Sequence, residues 1–348
     1  MRERESTTSP RRRLVLGLGI AVALALGVGL ARLGSGCQPA IGGKTASGSV
    51  ASSAPDGRDP ATSAFPSRFP APTRIVAIGD LHGDLNAART ALRLGRVMDE
   101  ALHWSGGTAA LVQTGDVLDR GDSEREILDL LDRLSDEARA AGGAVHLLNG
   151  NHELMNVAGD VRYVSPHGFQ EFADVPGLDV SNPVLGPLPF EERARAAAFR
   201  PGGPYARKLA EHAVVIVVGD TLFVHGGLVP DFAREGIERI NQEDRDWMLG
   251  QSAQGKELVD RRDSPVWVRT FGDGGAEDCA LLTQALDLVG AARMVVGHTI
   301  QKHGISSGCS GRLWRIDVGM GSVVGATPQA LEISGPNVLA LGTAGPGE

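Results

Sequence analysis

Six side chains in short polar loops have the chemistry of metal ligands: Asp80, His82, Asp116, Asn151, His225 and His298. They offer oxygen and nitrogen donors and no thiolate, a mix that suits Mn, Fe or Zn. Six protein ligands exceed what one catalytic ion with an open position uses. Two ions sharing one carboxylate use them all. Paired ions about 3.5–4 Å apart polarise a phosphoryl oxygen and generate hydroxide at neutral pH. Two divalent cations also outweigh the charges of Asp80 and Asp116, so the site stays positive and suits a phosphate dianion. Arg120 adds a guanidinium that can grip an oxyanion with two parallel bonds.

The elements that must position these residues follow one plan. The apolar stretch 73–78 reads as a strand and ends in Gly79-Asp80-Leu81-His82-Gly83-Asp84, with a helix expected over 85–94. Residues 108–114 read as a buried strand. It ends in Gly115-Asp116-Val117-Leu118-Asp119-Arg120-Gly121-Asp122, and a helix with apolar spacing through Ile127, Leu128, Leu130, Leu131 and Leu134 begins at Ser123. A third strand over 144–148 ends in Gly150-Asn151-His152-Glu153. Strand, polar loop and helix thus recur three times, and open α/β sheets bind ligands at the carboxyl ends of their strands. Stretches 213–218 and 221–224, joined by Gly219-Asp220, read as a hairpin with a two-residue turn. The hairpin ends in His225-Gly226-Gly227. A helix is expected over 276–288, a strand over 291–296 ending in Gly297-His298-Thr299, and late strands over 314–318 and 330–333. Residues 154–212 hold few strand signals and read as an insertion shaping the substrate entrance. Its stretch 156–186 is loop-like, while 191–199 and 204–212 look helical.

The chain has 348 residues, is 42% hydrophobic and carries a net charge of -8, which argues against a nucleic-acid partner held on a basic face. Residues 1–36 look like an export signal. Arg11-Arg12-Arg13 precede an apolar run from Leu14 to Leu30, short for a membrane span. The arginine cluster is similar to a twin-arginine signal, and Leu33-Gly34-Ser35-Gly36-Cys37 to a lipoprotein cleavage site. Export, with the protein periplasmic or anchored to the membrane through this segment or a lipid on Cys37, is the expectation. Residues 37–70 are rich in Ala, Ser, Gly and Pro and read as a flexible tether, with the catalytic domain over 71–341. Cys279 and Cys309 are an even pair in an exported protein, which leaves open a disulfide or two buried free thiols.

Gly-Asp-x-His-Gly, Gly-Asp-x-x-Asp-Arg-Gly, Gly-Asn-His-Glu, His-Gly-Gly and Gly-His, in this order, resemble the calcineurin-like metallophosphoesterases, and among them the phosphoprotein phosphatase branch. The flanks 156–164 and 293–299 are most similar to the Shewanella-like protein phosphatases. The resemblance covers roughly residues 72–340. It implies an α/β fold of two mixed β-sheets sandwiched between helices, with the helical insertion added. It implies Asp80, His82 and Asp116 on a first metal, and Asp116, Asn151, His225 and His298 on a second, with Mn the expected ion and Fe or Zn the alternatives. His152 would be the general acid, oriented by Asp119. Arg120 would bind phosphate with a second arginine, Arg269, for which Arg262 is the rival. The tyrosine motif usual near the C-terminus of this branch is replaced by Ile316-Asp317-Val318-Gly319-Met320. The implied activity is hydrolysis of phosphomonoesters by a metal-activated hydroxide, on phosphoproteins and with phosphotyrosine preferred, since some relatives act on it. A dinucleoside polyphosphate hydrolase, a scavenging phosphomonoesterase and a non-catalytic binding module are the competing readings.

Overall fold

The structure, a computed structural model, describes residues 65–275, 278–321 and 324–342. The export segment, Cys37 and the tether as far as residue 64 lie outside the described residues.

The described chain opens with β1 (Arg68–Phe69) and β2 (Ile75–Ile78), then α1 (Leu85–Leu94), β3 (Ala110–Gln113), α2 (Glu124–Ala140), β4 (Ala144–Leu147) and α3 (Asn151–Ala158). The stretch 154–212, expected as an insertion, carries the end of α3, α4 (Arg193–Phe199) and α5 (Pro204–Leu209), and no strand among its described residues. The hairpin β5 (Val215–Val218) and β6 (Thr221–Val224) leads into α6 (Pro230–Glu235), α7 (Ile237–Met248), α8 (Glu257–Asp260), α9 (Thr270–Asp273) and α10 (Asp278–Val289). After β7 (Arg293–Val296) come β8 (Ser306–Gly308), β9 (Leu313–Arg315), β10 (Ala330–Ser334) and β11 (Asn337–Leu341).

These strands form two mixed sheets, ordered β11-β10-β2-β3-β4 and β1-β5-β6-β7-β9-β8. β2, β3 and β4 run parallel, as do β6, β7 and β9. β10 runs antiparallel to β2, and β5 to β6. The two-residue period of a strand decides what each face covers. Ile75 and Ala77 of β2 meet Ile216, Val218, Phe223 and Val295 of the other sheet in one apolar layer. Val76 and Ile78 face the other way, into the core built with the helices. Strands buried on both faces read as continuous apolar runs, which is why 73–78 and 108–114 were legible. The α/β architecture of two mixed sheets between helices is the one expected.

Helix α2 buries Ile127, Leu128, Leu130, Leu131 and Leu134 on one stripe, each contributing roughly 1.5–3 kcal/mol. Asp84 caps α1 by accepting from the amide of Ala87 at 2.9 Å. Asp122 does not cap the next helix but accepts from the Ser165 hydroxyl. Cys279 and Cys309 form a disulfide with their Cα atoms 5.3 Å apart. It ties α10 to the turn after β8.

The structure differs from the sequence reading in several places: the strand expected over 314–318 is β9 and stops at Arg315, the helix expected over 204–212 stops at Leu209, and β8 and β11 were not expected. Arg68 and Phe69, expected within the tether, pair in parallel with Val217 and Val218, so the ordered chain begins before residue 71. Residues 156–158, expected in a loop, complete α3, which stops at Gly159 in the left-handed conformation (φ 82°). Helices α6 and α7 went unread because the buried stripe of α7 mixes Asn241 and Asp244 with Ile237, Ile240, Trp247 and Met248. Asn241 faces inward to serve the backbone of Val214 and Val215 and the Ser67 hydroxyl.

Candidate active site

The loops after β2, β3, β4, β6 and β7 converge on one cavity of about 230 Å³. Asp80, His82, Asp116, Arg120, Asn151, His152, Arg269 and His298 line it. His225 stands behind them, fully buried. Every residue expected at the site is therefore brought together, with Asp119 one layer back, fully buried and in contact with His152. Arg262, the rival of Arg269, is outside this cavity, stacked 5.6 Å from the Trp267 ring. Arg162 pairs with Asp160 on the exposed surface.

The loops are bent tightly to reach this point. His82, Asp116, Asp119, Arg120 and His298 all have left-handed backbones, with φ between 46° and 71°. Such residues are uncommon outside glycine and persist only where their surroundings hold them. Glu153 supplies much of the hold. Its carboxylate accepts the amides of Asp116 (2.8 Å), Val117 (2.9 Å), Leu118 (3.1 Å) and Gly150 (2.7 Å). Glycines let the loops touch. A Cβ on Gly83 would stand 2.7 Å from the Gly121 backbone, and one on Gly115 2.4 Å from the Gly150 nitrogen.

The histidines are set as ligands by their second ring nitrogens. His82 Nδ1 faces the Leu118 carbonyl at 3.0 Å, His225 Nδ1 that of Thr114 at 2.9 Å, and His298 Nε2 that of Trp267 at 3.2 Å. A carbonyl accepts only from N–H, so in a neutral ring the inner nitrogen carries the lone pair. Burial pushes His82 down to about 4 and His298 further still, so both rings are neutral at pH 7. His225 Nε2 then confronts two more acceptors, Asp116 Oδ2 at 3.3 Å and Asn151 Oδ1 at 3.0 Å. Three acceptors converging require a positive charge among them. Burial disfavours a proton there, yet Asp116 and Glu153 outweigh it and raise the His225 pKa. A metal ion answers the same demand.

Carboxylates crowd the floor of the cavity. Burial first, then repulsion from Asp317 and Asp116, raises Asp80 well above the usual carboxylate range. Burial opposes the Asp116 charge, but His225, His152 and His82 prevail and hold it well below that range. Asp116 belongs to both groups of buried donors close enough to grip an ion, one with His82 and His152, the other with His225 and His298. His152 differs from the other histidines. Its Nδ1 donates to Asp119 Oδ2 at 2.6 Å, and its Nε2 faces the Arg120 guanidinium at 3.1 Å. The same guanidinium also faces His82 Nε2, so it is the Asp119 carboxylate on Nδ1 that sets His152 apart. Arg269 donates to the His298 carbonyl (3.1 Å) and to Thr299 Oγ1 (3.2 Å), leaving its far end on the cavity.

Sequence reasoning missed four participants. Tyr163 and Trp267 line the cavity, their rings 5.1 Å from His152 and 5.9 Å from His298. Asp317, noted only as part of the stretch replacing a tyrosine motif, also faces it. Glu153 was quoted in a motif without a task. None of His103, His146, His167, His212 and His303 lines the cavity.

Gly150→Ala tests how far the donors depend on this packing. Its Cβ would stand 2.3 Å from Asp116 Oδ1 and 2.9 Å from His225 Cε1. Disturbed support around ligands typically costs 10–100-fold in metal affinity, so a loss of about that size is expected with the circular dichroism spectrum unchanged. Isothermal titration with Mn²⁺ checks it, and an unaltered affinity would show that the donors tolerate displacement.

A profile of the Calcineurin-like phosphoesterase family matches residues 73–301. Shewanella-like protein phosphatase 2 of Arabidopsis thaliana is 41% identical over 311 residues, covering 80% of this chain and 80% of its own. Shewanella-like protein phosphatase 1 of Plasmodium berghei (strain Anka) is 31% identical over 257 residues, covering 71% of this chain and 67% of its own. Among solved structures, the cold-active protein-tyrosine phosphatase of a psychrophile Shewanella sp. superposes with a TM-score of 0.61 and 26% identity, over 79% of this chain and 80% of its own. The family match spans the loops from Asp80 to His298, and with them the whole donor cluster, so the chain belongs to the calcineurin-like phosphoesterases and is a phosphatase.

Proposed function

We propose that this chain is a two-metal phosphomonoesterase acting on phosphoproteins, with phosphotyrosine preferred. The observation that carries the reading is the sharing of Asp116 between two groups of buried donors. Asp80, His82 and Asp116 would hold one divalent ion, and Asp116, Asn151, His225 and His298 the other, with Mn favoured over Fe and Zn. Bound there, the ions supply Lewis acidity and a nucleophile at neutral pH. The protein's own groups do the rest. Arg120 and Arg269, both on the cavity wall, grip the phosphoryl oxygens. His152 holds a proton on Nε2 for the departing oxygen, and Asp119 fixes the tautomer through Nδ1. Tyr163, 45% exposed, and Trp267 give the mouth flat apolar walls that suit a phenyl ring. The protein-tyrosine phosphatase at 26% identity supports the same preference.

A panel of phosphopeptides and nucleotides, assayed on protein of defined metal content, is the test. Phosphotyrosine peptides are expected to exceed phosphoserine and phosphothreonine peptides at least about tenfold in kcat/KM, a difference of roughly 1.4 kcal/mol. Faster turnover of dinucleoside polyphosphates or small phosphomonoesters would replace the phosphoprotein reading.

We also propose that the protein works outside the cytoplasm. The triple arginine and apolar run motivate this, and the Cys279–Cys309 disulfide suits an oxidising compartment. Cell fractionation is expected to find it in the periplasmic or membrane fraction. Full-length soluble protein in the cytoplasm would refute it.

A further inference from the structure

Arg195 lies in the insertion, on α4, and is completely buried. An arginine is rarely so placed unless its donors are used. Here Nε donates to Asn156 Oδ1 at 2.8 Å, Nη1 to the Gly168 carbonyl at 3.0 Å, and Nη2 to Asp119 Oδ1 at 3.2 Å. Nη1 also lies 2.7 Å from Glu124 Oε2. The guanidinium carbon stands 5.1 Å from the Phe172 ring and 5.0 Å from that of Phe199. Two aromatics and four polar groups therefore fix the plane of the guanidinium.

The groups it touches converge on one carboxylate. Asp119 Oδ1 receives Arg195 and also Asn156 Nδ2 at 2.9 Å, while the Asp119 amide donates to Glu124 Oε1 at 2.9 Å. Only Oδ2 is left, and it takes His152 Nδ1. Arg195 is thus the buried cation that both balances the Asp119 charge and settles which oxygen faces the imidazole. It reaches there from α4, none of whose residues lines the cavity.

We infer that Arg195 is a positioning residue for the acid pair: from the insertion it holds the Asp119 carboxylate against His152 Nδ1. The inference rests on the reading of His152 and Asp119 as that pair. It assigns the insertion a part in the chemistry as well as in shaping the entrance.

The test follows the His152 Nδ1 proton and the leaving group together. Arg195→Lys keeps the charge but cannot bridge the same groups. Removing the charge alone would leave two buried carboxylates facing each other and endanger the fold, so the second variant is Arg195→Met with Glu124→Gln, in which the glutamine still accepts the Asp119 amide. The downfield proton resonance of His152 Nδ1, identified by its loss in His152→Ala, is recorded with and without Mn²⁺. Turnover is measured on alkyl and aryl phosphates, and metal content is determined in each variant. The resonance is expected to vanish or move upfield in both variants. Alkyl phosphates should lose at least about tenfold more than aryl phosphates, a part of the 10²–10⁴-fold that general acid catalysis supplies. A resonance unmoved from wild type overturns the inference. So do equal losses on the two substrate classes while His152→Ala discriminates them. If His152→Ala itself fails to discriminate, the acid reading falls, and the resonance alone decides whether Arg195 holds the pair together.

Discussion

Asp116→Asn is expected to lose both metal ions together and at least about 10³-fold in turnover. Lewis-acid assistance by metal ions is worth several kcal/mol, and each 1.36 kcal/mol is a factor of ten. Asp116 belongs to both groups of converging buried donors and to both proposed ligand sets, so its loss is felt at both. The substitution is nearly isosteric. Oδ1 accepts the His152 amide at 3.0 Å and the Asp116 amide donates to Glu153, and an asparagine can keep both bonds. The fold should therefore survive, and the loss should report the missing charge alone. Replacing Asp80, His82 or His298 removes a donor from one group only and should cost less. Elemental analysis of the purified variants, paired with turnover of an aryl phosphate, makes the comparison. An Asp116→Asn protein that keeps two metals and near-normal turnover would show that the carboxylate is not shared.

His152→Ala should keep both metals and slow alkyl phosphates far more than p-nitrophenyl phosphate. General acid catalysis contributes about 10²–10⁴-fold, and that contribution is largest when the leaving oxygen is most basic. A nitrophenolate departs without a proton, so its loss should be small. The geometry motivates the split. Burial works against a charged His152, but Asp116 and Asp119 outweigh it and raise its pKa. Its Nε2 opens onto the cavity beside Arg120. Asp119→Asn should give the same pattern more weakly. Turnover across leaving groups of graded pKa is the measurement. Equal losses along the series would exclude the acid role, and loss of a metal would make His152 a ligand.

What could be read from the sequence divides along a physical line. The strand-tip loops were legible because an apolar run ending in Gly-Asp or Gly-Asn is a local pattern. The hairpin at Gly219-Asp220 was legible because its turn is specified by two residues. β1 was not, because two residues among prolines and serines carry no period, and their partners lie some 150 positions away. Glu153 and Arg195 were missed for a related reason. Each acts through bonds to distant backbone and side chains, and nothing in the neighbouring residues marks a charge that will be buried. The run of alanines around Arg195 reads as an ordinary helix with a solvated arginine. Asp317 was seen and given no task, since its place beside Asp80 depends on β9 lying next to β7.

The close approach of the loop glycines bears on how this phosphatase can be re-engineered. Gly83 rests on Gly121 and Gly115 on Gly150, each contact joining loops from different strands. Recombination with a homologue that breaks the chain between such partners would set a new loop against an old seat, with no room for a methyl group at either contact. Crossover points that preserve both contacts lie before residue 79 or after residue 153, so the three loops are exchanged as one cassette. The stretch 154–212 can be swapped more freely, provided Arg195 and its aromatic bracket travel with it.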